Sequence, residues 1–187
     1  MEREPSIVEI VDTEFENSPA RINLLRDFPE TRVADRVLGP YRLGQELELP
    51  LWLAQHVVQM GYARFREDEQ FTLKTLSGIH FRETLGGPRP ISKLPHDFYF
   101  RLRRFLKALR DQEAKDRGKG RDLDKALNLA SDIVSIRVKQ IASLGAAGEI
   151  PPDLASNLTI EERALFESIR KNVDGWKGDI LGREPTN

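Results

Sequence analysis

The chain has 187 residues and a formal net charge of −1, set by 29 Lys and Arg against 30 Asp and Glu, and it contains no cysteine. Without cysteine there are no disulfides, no thiolate zinc sites and no cysteine nucleophile, a composition that fits a reducing compartment. The length allows one domain or two small ones with a core that needs no covalent staples. No apolar run approaches the ~20 residues of a membrane span, and the acidic start Met1-Glu2-Arg3-Glu4 does not read as a secretory signal.

The near-zero sum conceals an asymmetry. Residues 1–60 carry 11 acidic and 6 basic side chains, a net of −5, whereas residues 101–125 carry 10 basic and 5 acidic, a net of +5. Each run by itself reads as a solvated face. Together they predict that a partner meets an acidic front and a basic middle differently.

The first third reads as strands. Ile7-Val8-Glu9-Ile10-Val11 is a β-branched run, and Thr31 to Val37 alternates apolar with polar, the period of a half-buried strand. Gly39-Pro40 and Gly44 punctuate turns around Tyr41 and Leu43. Gln45 to Leu49 alternates again, with Leu47 and Leu49 on one face. Pro50 suits a first helical position, Leu53, Ala54, Val57 and Val58 recur at helical spacing, and Gly61 offers a left-handed stop. Tyr62 to Phe65 is again extended. A small β-rich domain over 1–65 is expected, followed by a helical domain over 66–187, an α+β and mainly α chain.

In the second domain, residues 68–84 are expected to be helical around Phe71, Leu76 and Ile79, with Gly78 as a weak point. Gly86 to Pro90 is a loop, and Asp97 is placed to cap a helix whose stripe is Phe98, Leu102, Phe105, Leu106 and Leu109. The opposite face carries Arg101, Arg104, Lys107 and Arg110. Gly118-Lys119-Gly120 breaks that helix, and the next is expected over about Asp122–Leu144, ending at Gly145. Thr159 and Glu162 form a capping-box pair opening a last helix with Leu165, Phe166, Ile169 and Val173 inside.

One arginine stands out. On a helical wheel Leu123, Ala126, Leu127, Ala130, Ile133, Val134, Val138 and Ile141 share a face, and Arg137 falls near its middle. A guanidinium in an apolar stripe is costly unless a carboxylate or carbonyls receive it. Two readings follow: an internal ion pair that fixes helix register, or an arginine at the edge of a subunit interface.

Catalytic signatures are sparse. His56, His80 and His96 have no zinc-ligand spacing, Gly118-Lys119-Gly120 lacks the phosphate-loop pattern, and no serine sits in a nucleophile-elbow context. The sequence therefore favours a non-enzyme without cofactor or metal. The basic helix, with Arg101, Arg103, Arg104, Lys107 and Arg110 and then Lys115, Arg117, Lys119 and Arg121, has the charge to neutralise several phosphates. Asp111, Glu113, Asp116 and Asp122 are interleaved and weaken that field, and no recognition-helix or aromatic signature accompanies it.

Four segments in order carry a resemblance. Glu48-Leu49-Pro50-Leu51-Trp52-Leu53-Ala54, preceded by Gly39-Pro40-Tyr41 and the Gly44 turn, resembles the small β-domain of GINS subunits. Leu94-Pro95-His96-Asp97-Phe98-Tyr99 resembles the start of the family's main helix. Asp132 to Ile141, containing Arg137 and Lys139, resembles its Arg-x-x-Lys helix, and Ser156-Asn157-Leu158-Thr159-Ile160-Glu161-Glu162 resembles the start of its last helix. The β-domain-first order is similar to the Psf-two and Psf-three type and its archaeal counterpart, which the short length also resembles. The Gly118-Lys119-Gly120 loop departs from the pattern.

The resemblance implies a scaffold subunit of the replicative helicase rather than an enzyme. It would sit in a heterotetramer, 2:2 with the permuted GINS subunit, bridging the MCM motor and a Cdc45 or RecJ-like protein, with primase and DNA polymerase as further partners. It would be intracellular, in the cytoplasm or nucleoid at the fork, or in the nucleus if eukaryotic. Subunit contacts would fall on Phe98, Leu102, Phe105, Leu109, Ile133, Arg137 and Ile141, and MCM docking on Tyr41 and Trp52. DNA contact would be indirect or weak. The alternative is a DNA-binding replication or repair module that uses the basic helix 101–121, with Arg101, Arg104, Lys107 and Arg110 facing DNA.

Overall fold

The computed structural model describes residues 6–33, 36–66, 70–85, 91–115 and 120–182. The elements in order are α1 (Ile7–Glu16), β1 (Pro19–Leu24), β2 (Thr31–Val33), β3 (Arg36–Leu38), β4 (Glu46–Pro50), α2 (Leu51–Gln59), β5 (Ala63–Phe65), α3 (Leu73–Thr84), α4 (Phe98–Lys115), α5 (Gly120–Ala147), α6 (Pro152–Ala155) and α7 (Ile160–Leu181). The chain is thus α+β and mainly α, with its sheets near the N-terminus and helices after them. It divides into two compact units, one of Glu9–Gln70 and the other of Phe71–Asn187 with Met1–Val8. Among the described residues no helix is long and apolar enough to cross a membrane.

The β-branched run at Ile7 is a helix, not a strand. Val11 and Phe15, four apart, are its buried positions, and Thr13 Oγ1 donates to the Glu9 carbonyl at 2.9 Å. Apolar spacing over ten residues outweighed the β propensity of five. The central strand of the main sheet, β1, was not anticipated. The sheet order is β4-β1-β5, antiparallel throughout, with Ala20 opposite Leu49 and Asn23 opposite Arg64. Ala20, Ile22 and Leu24 point inward and are buried, so the period-2 signal is present between Pro19 and Leu25.

The run Thr31–Val37, expected as one strand, folds back on itself. β2 and β3 pair antiparallel with Arg32 opposite Val37. Ala34 and Asp35 lie outside the described residues. The stretch from Leu47 to Phe65 forms as read: Leu47 and Leu49 pack on the core, Leu53, Ala54 and Val57 are buried, and Gly61 takes φ 75° after α2. Pro50 is not the first helical residue as expected but stands one place earlier, at the N-cap position, with no side-chain capping bond. Gly39 sits at φ 91° with a site for Cβ only 2.9 Å from the Pro29 carbonyl, so no larger residue fits.

In the helical unit α5, 28 residues long, is the axis against which α3, α4 and α7 pack. Leu76, Ile79, Leu94, Phe98, Leu102, Ala126, Ala130 and Ile133 form one core, and Ile91, Ile141, Leu158 and Phe166 a second. The expected start of α3 at 68 falls on residues outside the described set, and Thr72 caps the helix by accepting from the Thr75 N–H. The Gly86–Pro90 loop and Lys119 also lie outside it. Val134 and Val138, placed on the core stripe by the wheel, are exposed at 38% and 42%. Leu165, expected inside α7, is likewise exposed.

Gly145 does not end α5. The helix runs on to Ala147, and Gly148 at φ 90° follows as its stop. A Cβ on Gly145 would lie 2.8 Å from Ile169 Cγ2, so this glycine is what lets α7 approach α5. Gly145→Ala should destabilise the fold by about 1–2 kcal/mol, the overpacking strain exceeding the gain in helix propensity. Gly78→Ala, with nothing within 4 Å of the added methyl, should stabilise by roughly 0.5–1 kcal/mol. Urea unfolding of the pair, at unchanged m, checks both signs.

Candidate functional site

The most elaborate polar arrangement lies inside the helical unit. Arg137 on α5 is wholly buried, and its guanidinium forms a bidentate pair with Glu162 on α7: Nε donates to Oε1 at 2.7 Å and Nη2 to Oε2 at 2.8 Å. Nη1 donates to the Ser92 carbonyl at 2.8 Å and reaches Glu83 Oε2 on α3 at 3.5 Å. Ser92 Oγ in turn donates to the other oxygen of Glu83. Tyr99 on α4 donates its hydroxyl to Glu162 Oε1 at 2.8 Å. The α5 guanidinium thus receives α7, α3 and the Ser92 carbonyl directly, and α4 joins through Tyr99 on Glu162.

Glu162 has two tasks. It is the third residue of α7, where its carboxylate accepts from the Thr159 N–H at 3.0 Å while Thr159 Oγ1 accepts from the Glu162 N–H at 3.3 Å. The capping box read from the sequence therefore exists, and the same carboxylate also neutralises Arg137. The planar guanidinium and planar carboxylate match in a fork that lysine cannot make.

Burial would lower the Arg137 pKa, but the hydrogen bonds and charge of Glu162, with Glu83 behind, overcome it and hold the group above its ordinary value. Burial and then the neighbouring Glu162 charge push the Tyr99 phenol far above its ordinary value of 10. With the folded value above the unfolded one, the stabilisation from Tyr99 is fully present below about pH 10 and drains away as pH rises toward the raised value.

This geometry selects the internal ion pair over the interface edge for Arg137. Phe98 and Ile133 are 0% exposed, Ile141 is 1% and Leu102 is 5%, so these residues, named as subunit contacts, are used up by the chain's own core. The amphipathic stripe that announced an interface is the one that holds the monomer together. Phe105 and Leu109 are only partly buried against the same core.

The basic helix is also more engaged than its sequence implied. Arg101 is held by Asp97 and Arg103 lies 3.7 Å from Glu161. The Arg104 guanidinium sits over the Phe100 ring, 5.3 Å from its centroid. Lys107 and Arg110 are exposed, while Arg117 and Lys119 lie outside the described residues. In the other unit Tyr41 is bridged to Phe28 and half-buried, whereas Trp52 on α2 is 37% exposed. No described group of three or more His, Asp or Glu could hold a metal ion. His80 pairs with Asp132 at 3.0 Å, linking α3 to α5.

A second feature, of which the sequence reading reached only as far as Val173, lies on α7. Arg137 pairs with Glu162 and Gly145 with Ile169, so α5 and α7 run parallel and α7 continues about 13 Å past the end of α5. Val173, Trp176 and Ile180 prolong the stripe of Glu162, Phe166 and Ile169 along this overhang. Trp176 is 65% and Ile180 64% exposed, next to exposed Leu181. Their 3–4-residue spacing was the available signal.

Arg137→Ala should cost about 3–5 kcal/mol, because it strands two buried carboxylates. Tyr99→Phe should cost about 1.5–3 kcal/mol. Thermal and urea unfolding measure both. In alkaline titration followed at tyrosinate absorbance, the Tyr99 phenol should ionise only with loss of helical ellipticity, and Tyr99→Phe should abolish that late step.

No protein-family model matches the chain, and no curated protein matches its sequence.

Proposed function

We propose that this protein is a non-catalytic scaffold subunit of a GINS-type complex within the replicative DNA helicase, acting in initiation and elongation. The observation that carries the reading is the overhang of α7. A core stripe that continues past the helix it packs on, ending in an exposed tryptophan and two exposed aliphatics, is what an assembly subunit needs and a monomer would bury or replace with charge.

The family assignment draws support from how the resembling segments are used. Leu94–Tyr99, Asp132–Ile141 and Ser156–Glu162 lie far apart in sequence, yet they supply Tyr99, Arg137, Thr159 and Glu162 to one buried network. In this reading α7 and its neighbours pack against the permuted subunit in a 2:2 tetramer, and the β-rich unit docks MCM through the exposed Trp52. A Cdc45 or RecJ-like protein completes the motor, primase and polymerase attach beyond it, and the complex works at the fork in the cytoplasm or nucleoid. Direct DNA binding by the basic residues of 101–121 is disfavoured, because on α4 Arg101, Arg103 and Arg104 are already engaged with Asp97, Glu161 and Phe100.

The test is co-expression with the permuted subunit, with mass read by size exclusion and light scattering. The wild-type chain should form the tetramer. Trp176→Glu combined with Ile180→Glu should yield separated subunits, with the melting temperature of the isolated chain unchanged or raised. A tetramer that survives the double substitution refutes the α7 interface. Tight binding of the isolated chain to forked DNA, with a salt slope of roughly −4 or steeper, would favour the DNA-binding alternative.

A further inference from the structure

The main sheet of the N-terminal unit ends on β4, and the register decides which backbone groups face outward. Gly44, at φ 81°, and Gln45 together oppose Leu24: the Gly44 N–H donates to the Leu24 carbonyl and the Leu24 N–H to the Gln45 carbonyl, both at 3.0 Å. That is a bulge of the glycine-first kind, and it sets the phase of the ladder. At the other end the Leu51 N–H donates to the Ser18 carbonyl at 2.9 Å. Between these bonds, with Ile22 opposite Leu47 and Ala20 opposite Leu49, the N–H and C=O groups of Leu47 and Leu49 face β1. Those of Glu46 and Glu48 face away from it.

Among the described residues nothing pairs with these outward groups, and both glutamates are exposed. Their side chains rise from the sheet face opposite Leu47 and Leu49, which pack on the core. Glu46 lies 3.2 Å from Arg66, and Glu48 stands opposite Arg21 on β1. The edge therefore offers two donors and two acceptors at strand spacing, beneath two carboxylates two residues apart.

We infer that the outer edge of β4 accepts an extended basic peptide as an additional antiparallel strand. Main-chain bonds to Glu46 and Glu48 would supply the ladder, and of the Lys or Arg at alternate positions one would meet the exposed Glu48 carboxylate while the other would share Glu46 with Arg66. The intervening residues of the peptide would extend the apolar face made by Leu47 and Leu49. A second copy of the chain is the wrong occupant, because β4 against β4 sets glutamate opposite glutamate. Pro50 ends the strand and limits the site to a short segment. The β4 edge is a different surface from α7, so strand addition there stands or fails independently of the helicase scaffold.

The full chain, titrated into a fluorescein-labelled peptide that alternates valine and arginine, should give saturable anisotropy, while a peptide alternating valine and glutamate should give none. Glu48→Pro removes one outward N–H without touching the bonds to β1, so it should weaken binding by about tenfold or more with the far-ultraviolet spectrum intact. Glu48→Lys should weaken it most at low salt. Amide exchange of the wild-type chain provides a readout independent of any variant: the Glu46 and Glu48 amides should become protected on binding. No binding of the basic peptide, equal binding of the acidic one, or protection confined to other amides overturns the inference. So does a folded Glu48→Pro chain that binds as the wild type does.

Discussion

The helical unit is organised around one desolvated charge. A guanidinium with no exposure to water is tolerable only if its donors are nearly all taken, and Arg137 finds Glu162, the Ser92 carbonyl and Glu83 from three directions. Apolar contacts let helices slide by a turn at modest cost, but a bidentate fork does not. The pair therefore sets the register of α7 on α5, and Gly145 sets their closeness two turns further on. Because Glu162 is also part of the helix cap, the point at which α7 begins and the partner it begins beside are decided by the same carboxylate.

The overhang follows from that register. With Glu162 level with Arg137, a 22-residue helix must outrun the remainder of α5, and its apolar stripe runs with it. The exposed Trp176 and Ile180 are thus a geometric consequence of the buried ion pair, not a separate feature. The β-rich unit presents the opposite kind of surface, a charged backbone edge whose orientation comes from a bulge at Gly44. One unit offers apolar side chains and the other offers hydrogen-bonding groups under carboxylates, so the two suit different partners.

The places where sequence and structure part company have identifiable causes. Ile7–Val11 is β-branched over five residues, but Val11 and Phe15 answer to a helical period that needs a longer window to see. β1 was missed although Ala20, Ile22 and Leu24 alternate, because Ala20 is small and Pro19 and Asn23 within the strand are poor strand formers. Val134 and Val138 sit on the wheel's apolar side but at its margin, where they remain exposed. Glycine is ambiguous for a different reason: Gly61 and Gly145 look alike in sequence, yet one supplies a positive φ and the other supplies absent volume.

The sequence alone determined the class of the fold, with its strands near the N-terminus and its long helices after them, the strand-to-helix passage at Pro50, the capping box at Thr159 and Glu162, and the fact that Arg137 had to have a partner. These depend on local periodicity, on backbone chemistry within a few residues, or on the cost of desolvating a charge. Only the tertiary structure decided that the partner lies within the chain, that Glu83 and Tyr99 join it, and that the opposed charge runs are partly spent on internal pairs. Those outcomes depend on which residues distant in sequence are brought within about 3 Å of one another, and pairing at that range leaves no trace in the spacing of neighbours.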